Sequence, residues 1–286
     1  MDFIVNLKSG HGLGEKNLKK ITAYCDKNNI EYNVHITQES GHATRLAAEL
    51  VTSGAKTIVA IGGDGTFSEV LNGITSFDNT SLGFIPSGRG NDFAHALGLP
   101  LDPIKAFEII IKGESLALDY IQVGEKRCLN IAGTGLDIDV LKRVAGRPGK
   151  FVYLGSLLYC LRHFDPYSID VTINGETTNY KAIIVGICNG NQYGGGMKLS
   201  PNSKIDDGLL DVIIIQLPEN GKLLNPLLKF LKGKHLVLPI TKVIQCEEVI
   251  IRPTDGRPVQ MDGEIKENFI LDCKIVKGGL KTFKPL

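Results

Sequence analysis

An α/β N-terminal half built on a mostly parallel sheet, followed by an antiparallel β-rich second half, is the fold class that this 286-residue sequence predicts. Three observations carry that expectation. Short apolar runs alternate with helix-period segments as far as about residue 112, strand-like runs follow one another directly after about residue 116, and N-G or D-G dipeptides punctuate several of those later runs. Alternation calls for parallel strands covered by helices, because a parallel return needs a long crossover. A two-residue Asn-Gly turn, by contrast, joins antiparallel neighbours.

The elements follow in order. FIVNL, from Phe3, reads as a strand, and IEYNVHI sets Ile30, Tyr32, Val34 and Ile36 on one face at period two. TIVAI (Thr57 to Ile61) and SLGFI (Ser81 to Ile85) are continuous apolar runs, as strands covered on both faces should be. Helical spacing appears in Ala43, Leu46, Ala47, Leu50 and Val51, in Phe67, Val70, Leu71 and Ile74, and in Ile104, Phe107 and Ile111. Later strands are expected in LALDYIQV, KRCLNIAG, YSIDVTINGE, NYKAIIVGICNG, GLLDVIIIQLP, EEVIIRP, RPVQMDGEI and FILDCKIV. Helical stretches around Asp137 to Leu161 and Leu223 to Lys232 interrupt them. The expected division is 1–118, rejoined by 278–286, with 119–277 as the second domain.

Composition narrows the function classes. Lys and Arg number 32 against 31 Asp and Glu, a balance that argues against nucleic acid as a partner, since phosphate-backbone binding needs a concentrated basic surface. The six cysteines, Cys25, Cys128, Cys160, Cys188, Cys246 and Cys273, have no C-x-x-C spacing and are expected reduced and mostly buried. No secretory leader is expected, and the longest apolar stretch, Phe151 to Leu161, is shorter than the roughly 18 residues of a membrane span. A cytoplasmic protein is the expectation.

GGDGTFSEVLNG (Gly62 to Gly73) is the stretch richest in chemistry: three glycines and one aspartate between a buried strand and an amphipathic helix. At the carboxyl end of a strand in an open α/β sheet, such a loop offers free amides and the positive end of a helix dipole, a setting that suits phosphate. A tight strand-to-helix turn capped by Thr66 or Asp64 is the plainer account of the same residues. No lysine follows, so this is not a Walker A loop, and G-H-G-L-G (Gly10 to Gly14) lacks the third glycine of the dinucleotide fingerprint. A carboxylate beside phosphates calls for a cation between them, and Asp64 therefore implies Mg²⁺ held largely through water. NLKSGHGLG (Asn6 to Gly14) and PSGRGNDFAHALGLP (Pro86 to Pro100) follow two further strands of the same sheet, and Asn91 or Asp92 is placed to open a helix.

GGDGT-F-S-E-V-x-N-G, S-G-x-G-N-D-F-A about 22 residues later and D-G-E near the C-terminus together resemble the diacylglycerol kinase catalytic-domain family, its bacterial soluble lipid kinases in particular. The resemblance spans essentially the whole chain. It implies a two-domain fold shared with NAD kinases and 6-phosphofructokinases, an α/β nucleotide domain beside a β-sandwich, with ATP between them. It further implies nucleotide contacts from Asn6, Ser9, Thr37, Gly62, Gly63, Asp64, Gly65, Thr66, Phe67, Ser68, Glu69, Arg89 and Asn91. Asp64, Asp92 and Asp119 would hold the catalytic Mg²⁺ through water, while Lys204, Asp207 and Leu209, in K-x-x-D-G-L, would hold a structural Mg²⁺. Glu264 of D-G-E would accept the proton of a lipid hydroxyl, with Asp262 beside it. Read without the resemblance, M-D-G-E is a hairpin turn and S-K-I-D-D-G-L-L-D a turn into a strand.

Leu7 stands where the family has proline, Ser68 where it has asparagine, and Arg89 where it often has threonine; none of these removes a carboxylate the chemistry needs. The implied activity is transfer of the γ-phosphate of ATP to diacylglycerol or a related membrane alcohol. Two rivals remain: an NAD kinase, disfavoured because its G-S-T-A-Y-x-x-S motif is absent, and a non-catalytic nucleotide sensor. A lipid acceptor implies transient contact with the inner face of the membrane, for which Lys142, Arg143, Arg147 and Lys150 beside FVYLGSLLYCLRHF offer one surface. Exposed sheet edges in the second domain would suit a homodimer.

Overall fold

The structure is a computed structural model that describes residues 1–144, 150–218 and 223–285. Its first part runs β1 (Asp2–Val5), α1 (Ser9–Lys27), β2 (Asn33–Ile36), α2 (His42–Thr52), β3 (Thr57–Gly62), α3 (Asp64–Gly73), β4 (Ser81–Pro86), α4 (Asp92–Leu97) and α5 (Pro103–Lys112). The strands pair in the order β2-β1-β3-β4, all parallel. Phe3 to Val5, Ile58 to Ile61 and Leu82 are fully buried, as continuous apolar runs in a sheet covered on both faces must be. Phe67 of α3 packs against Phe84 of β4 and Phe93 of α4 with ring centroids 4.6 and 4.7 Å away, so the loops after β3 and β4 are tied to one aromatic cluster. Asp102 caps α5 by accepting from the amides of Ile104 and Lys105, and Pro103 begins the helix; such a cap stabilises by about 1 kcal/mol.

The edge strand departs from its expected pattern. Ile30 and Tyr32 pack on the core, Tyr32 stacking on Phe3, but Val34 and Ile36 are 36% and 47% exposed. Strand β2 starts only at Asn33 and has a neighbour on one side alone, so the apolar alternation outruns the surface available to cover it.

The second part continues through β5 (Ser115–Val123), β6 (Lys126–Cys128), β7 (Ile131–Gly135), α6 (Leu136–Val144), α7 (Lys150–Arg162), β8 (Tyr167–Ile173), β9 (Glu176–Cys188), β10 (Leu210–Gln216), α8 (Leu224–Leu231), a single 3-10 turn at His235–Val237, β11 (Thr241–Cys246), β12 (Glu248–Pro253), β13 (Val259–Met261), β14 (Glu264–Lys266) and β15 (Leu271–Phe283). Among the described residues these strands pair antiparallel in the order β14-β13-β7-β9-β8-β12-β15-β5-β6, with β10 and β11 branching from β9. Strand β9 makes the curvature possible. Its first half pairs with β8 and its second half with β7 and β10, so one long strand serves both layers of a curled antiparallel sandwich. The Asn174-Gly175 and Asp262-Gly263 turns have both residues at positive φ, the tight geometry that N-G and D-G announce.

Two expected segments are subdivided. KRCLNIAG becomes β6 and β7 because Leu129 and Asn130, between them, turn their amides to Asp262 instead of a neighbouring strand. The helical stretch from Asp137 becomes α6 and α7. Strand β5 passes from one part to the other without a break: Leu118 and Tyr120 belong to the first core, Ile121 and Val123 to the second. Beside it, β15 shifts register between Val276 and Leu280, and its end returns to the first part, where the Thr282 hydroxyl donates to the Leu82 carbonyl at 2.7 Å. Five of the six cysteines are buried, Cys160 is half-buried, and all are free thiols. No helix among the described residues is long and apolar enough to cross a membrane.

Candidate active site

Three loops meet at the carboxyl edge of the parallel sheet. After β1, the Asn6 carbonyl accepts from the Ser9 hydroxyl at 2.8 Å and the Asn6 amide donates to the Thr66 hydroxyl at 3.4 Å. After β2, the Thr37 hydroxyl donates to the Val5 carbonyl. After β3, Gly63 precedes α3, and no side chain caps that helix start: the Asp64 and Thr66 caps considered from sequence do not form. The amides at this end of α3 are therefore left to a ligand. Gly62 must be glycine, because a Cβ there would lie 2.5 Å from the Thr66 side chain. A cleft of about 470 Å³ results, lined by Asn6, Ser9, Thr37, Gly63, Gly65, Thr66 and Glu69.

Lys8 and Gln38 also line this cleft, and sequence reasoning did not single them out. A cation in a loop after a strand was the available signal for Lys8. Gln38 offers no signal until β2 is placed beside β1. Glu69 also holds the start of α2, where its carboxylate accepts from the Ser40 hydroxyl and from the Ala43 amide.

A second cleft, of about 350 Å³, adjoins the other side of the same loop and is lined by Asp64, Arg89, Gly90, Asp92, Asn130, Tyr193, Gly195 and Asp262, among others. Asp64 and Asp92 converge on Gly90: a Cβ at that position would be 3.2 Å from one carboxylate and 3.3 Å from the other, a tight approach on both sides. Burial, followed by the charge of Asp92, pushes the Asp64 carboxyl up to about 6 against the opposing amides of Phe93 and Asn91. Asp92 is oriented by Gln192, Gly195 and Gly196, which donate to it at 2.9 to 3.0 Å. These three residues sit in NQYGGG, whose glycine triplet was the overlooked signal. Arg89 extends across the rim to hydrogen bond with the ring of His11, linking the loop after β4 to the one after β1.

The D-G-E acids take different positions. Asp262 lies in the cleft, but its carboxylate accepts from the amides of Leu129, Asn130 and Ile131 at 2.6, 2.9 and 3.1 Å. Burial raises its pKa in spite of these donors and the Cys128 thiol. Glu264, two residues on, is exposed and lies with Lys266 at 2.5 Å and Lys126 at 3.5 Å. Partial burial alone would raise its pKa, yet the bond to Lys266 and the two ammonium charges hold it below the usual carboxylate range.

Other expected site residues stand outside both clefts. Phe67 is core, Ser68 receives the Asn72 amide on its carbonyl, and Asn91 closes the turn with Gly88. Asp119 is buried at the crossing of the two parts, where it accepts from the amides of Gly208 and Gly278 at 2.7 Å each. Asp207 accepts from the Leu209 amide at 3.1 Å, and Lys204 lines a separate junction cleft with Asp206.

Comparison with known proteins bears on the family and the fold. The family model described as "Diacylglycerol kinase catalytic domain" matches residues 1–123, and that described as "YegS C-terminal NAD kinase beta sandwich-like domain" matches residues 130–283. The diacylglycerol kinase of Bacillus subtilis (strain 168) is 30% identical over 267 residues, covering 91% of this chain and 88% of the relative. This chain belongs to the diacylglycerol kinase family. A protein of Xanthomonas campestris pv. campestris (strain 8004) named "Probable lipid kinase YegS-like" is 33% identical, with 72% and 71% of the two chains covered. The crystal structure of a diacylglycerol kinase from Bacillus anthracis str. Sterne superposes with a TM-score of 0.79 at 25% identity, over 99% of this chain and 96% of that one. Within this lipid-kinase family, both expected halves of the fold are present: the helix-covered parallel sheet and the antiparallel sandwich.

Proposed function

We propose that the protein is an ATP- and Mg²⁺-dependent lipid kinase that phosphorylates the hydroxyl of diacylglycerol or a related membrane alcohol. The observation that carries this reading is the pair of clefts sharing one loop: open helix amides on one side of residues 63–66, and the converging carboxylates of Asp64 and Asp92 on the other. Two buried like charges at one point fit a cation, and its proximity to unpaired amides fits a polyphosphate. Bound there, Mg²⁺ would offset the charge that builds on the phosphoryl oxygens during transfer.

The chain's own contribution is positioning. The amides after Gly63 and the side chains of Asn6, Ser9 and Thr66 would grip the phosphates, while Gln192 and the 195–196 amides keep Asp92 facing Asp64. Of the D-G-E acids, Glu264 is proposed as the proton acceptor. Asp262 has committed its oxygens to three backbone amides, whereas those of Glu264 face only surface lysines, which can be exchanged for a substrate hydroxyl. Asp262 is then the residue that positions the turn.

The test is transfer of label from γ-labelled ATP with Mg²⁺ to a panel of lipid alcohols in mixed micelles, with NAD as a control acceptor. Labelled lipid supports the proposal. Labelled NADP would move the protein to the NAD kinases, and nucleotide binding without transfer to any acceptor would make it a sensor.

A further inference from the structure

Helix α8 and the 3-10 turn after it present an apolar surface within a long stretch that has no acidic residue. Between Glu219 and Glu247 the chain carries Lys222, Lys229, Lys232, Lys234 and Lys242 and no Asp or Glu, although the whole chain is balanced at 32 basic against 31 acidic residues. Leu228 and Leu231, one helical turn apart, are both 49% exposed, and Val237 in the following turn is 79% exposed. Lys232 and Lys234 stand exposed beside them. Among the described residues none of Lys229, Lys232 and Lys234 forms a salt bridge.

The inner face of α8 is already occupied. Leu227 and Phe230 turn toward an apolar cavity that they share with Leu157 and Leu161 of α7, and with Tyr193 and Met197. Tyr193 and Met197 also line the carboxylate cleft. A short helix that is apolar on its buried side and again on its outer side gains nothing from water on that outer side. Lysines interleaved with leucines, without a compensating acid, match one kind of surface: apolar at depth and anionic at the headgroups.

We infer that the α8 to β11 segment is the bilayer-docking surface of this kinase, selective for anionic lipid, with Leu228, Leu231 and Val237 entering the interface and Lys229, Lys232 and Lys234 facing the headgroups. The inference rests on the lipid-kinase reading for its purpose, but its test does not depend on catalysis. The surface expected from sequence, around Lys142 to Lys150, differs from this one. There Lys142 pairs with Glu267 and the Arg143 guanidinium lies over the Tyr159 ring, 3.6 Å from its centroid, so both cations are engaged within the protein; Arg147 lies outside the described residues.

The experiment is flotation of the full chain, without nucleotide, with vesicles of phosphatidylcholine alone or with one third phosphatidylglycerol. Wild type should bind the anionic vesicles and not the neutral ones. The K229Q/K232Q/K234Q variant should bind them on the order of 100-fold more weakly, at roughly fivefold per lysine, and should lose the salt dependence. L231D, at a position 49% exposed, should lose at least tenfold by a route that salt does not mimic, with an unchanged thermal midpoint as its folding control. Both variants should keep wild-type turnover on a short-chain diacylglycerol that is monomeric in solution. Unchanged vesicle binding in both variants, equal binding of wild type to the two vesicle types, or no binding at all would overturn the inference. So would a loss of self-association in L231D with vesicle binding intact, since the face would then belong to a second copy. Vesicle binding without transfer to any lipid would leave the docking surface standing and remove the kinase reading instead.

Discussion

The two acidic turns at the site contain the same ingredients and behave in opposite ways. Gly63-Asp64-Gly65 belongs to the parallel sheet's carboxyl edge, where burial and the neighbouring Asp92 push the Asp64 carboxyl up to about 6. Asp262-Gly263-Glu264 belongs to a β-hairpin, where Lys266 and Lys126 draw the Glu264 carboxyl below its usual range. A glycine-flanked acid is thus a poor guide to its own chemistry. The surrounding fold decides whether it is a buried group facing a like charge or an ionised group on a surface.

Substitutions sharpen this contrast from both sides. Asp64→Asn removes the charge that the cation site needs, and turnover should fall by about 10³-fold or more, on the scale of losing one transition-state electrostatic contact. Its thermal midpoint should hold or rise, because a carboxyl whose pKa is raised in the folded state disfavours folding above that pKa. Near-normal rates in Asp64→Asn, measured with saturating ATP and Mg²⁺, would break the assignment. Glu264→Gln should lower kcat by about 10²-fold without moving the melting temperature, as expected for loss of a general base on an exposed ion pair. A melting shift of several degrees would instead make Glu264 structural.

Asp262→Ala should act through stability. Three amides lose a charged acceptor, and a cost of about 3 kcal/mol by urea unfolding is expected, against under 1 kcal/mol for Glu264→Gln. Equal stability of the two variants would erase the distinction drawn between these acids.

Asp137, at the start of α6, extends the rule away from the site. Burial pushes its carboxyl to about 6, so the folded state holds a proton more tightly than the unfolded one. Stability should therefore fall as pH rises from about 4 to about 6, and Asp137→Asn should exceed wild type by about 2 kcal/mol at pH 8 while matching it near pH 3.5. Unfolding curves at the two pH values check the sign. The smallest expected effect is that of Lys266→Met. Loss of the lysine should move the acidic limb of the kcat profile upward by less than about one pH unit, since the pair is largely exposed. An unmoved limb would separate Glu264 from that titration.

Much of the fold was legible. Runs such as TIVAI and SLGFI, buried on both faces, announce parallel strands because only helices on each side can cover them, and Asn174-Gly175 and Asp262-Gly263 announce hairpins because both positions need positive φ. Where legibility failed, the missing information was a neighbour. Val34 and Ile36 look like a core face until β2 proves to be an edge, and KRCLNIAG looks like one strand until Asp262, some 130 positions later, claims its amides.

By itself the sequence determined most element types, though not helix α1 or strand β11, together with the glycine loop and the family, since these depend on local periodicity, turn chemistry and a motif read in order. Only the tertiary structure decided which acids converge. Asp64 meets Asp92 at Gly90, Gln192 and the 195–196 amides arrive from the other half of the chain to orient Asp92, and the amides of Gly208 and Gly278 hold Asp119. The physical reason is that a carboxylate's role is fixed by the donors and charges within a few ångströms of it, and in this protein most of those come from residues more than 80 positions away.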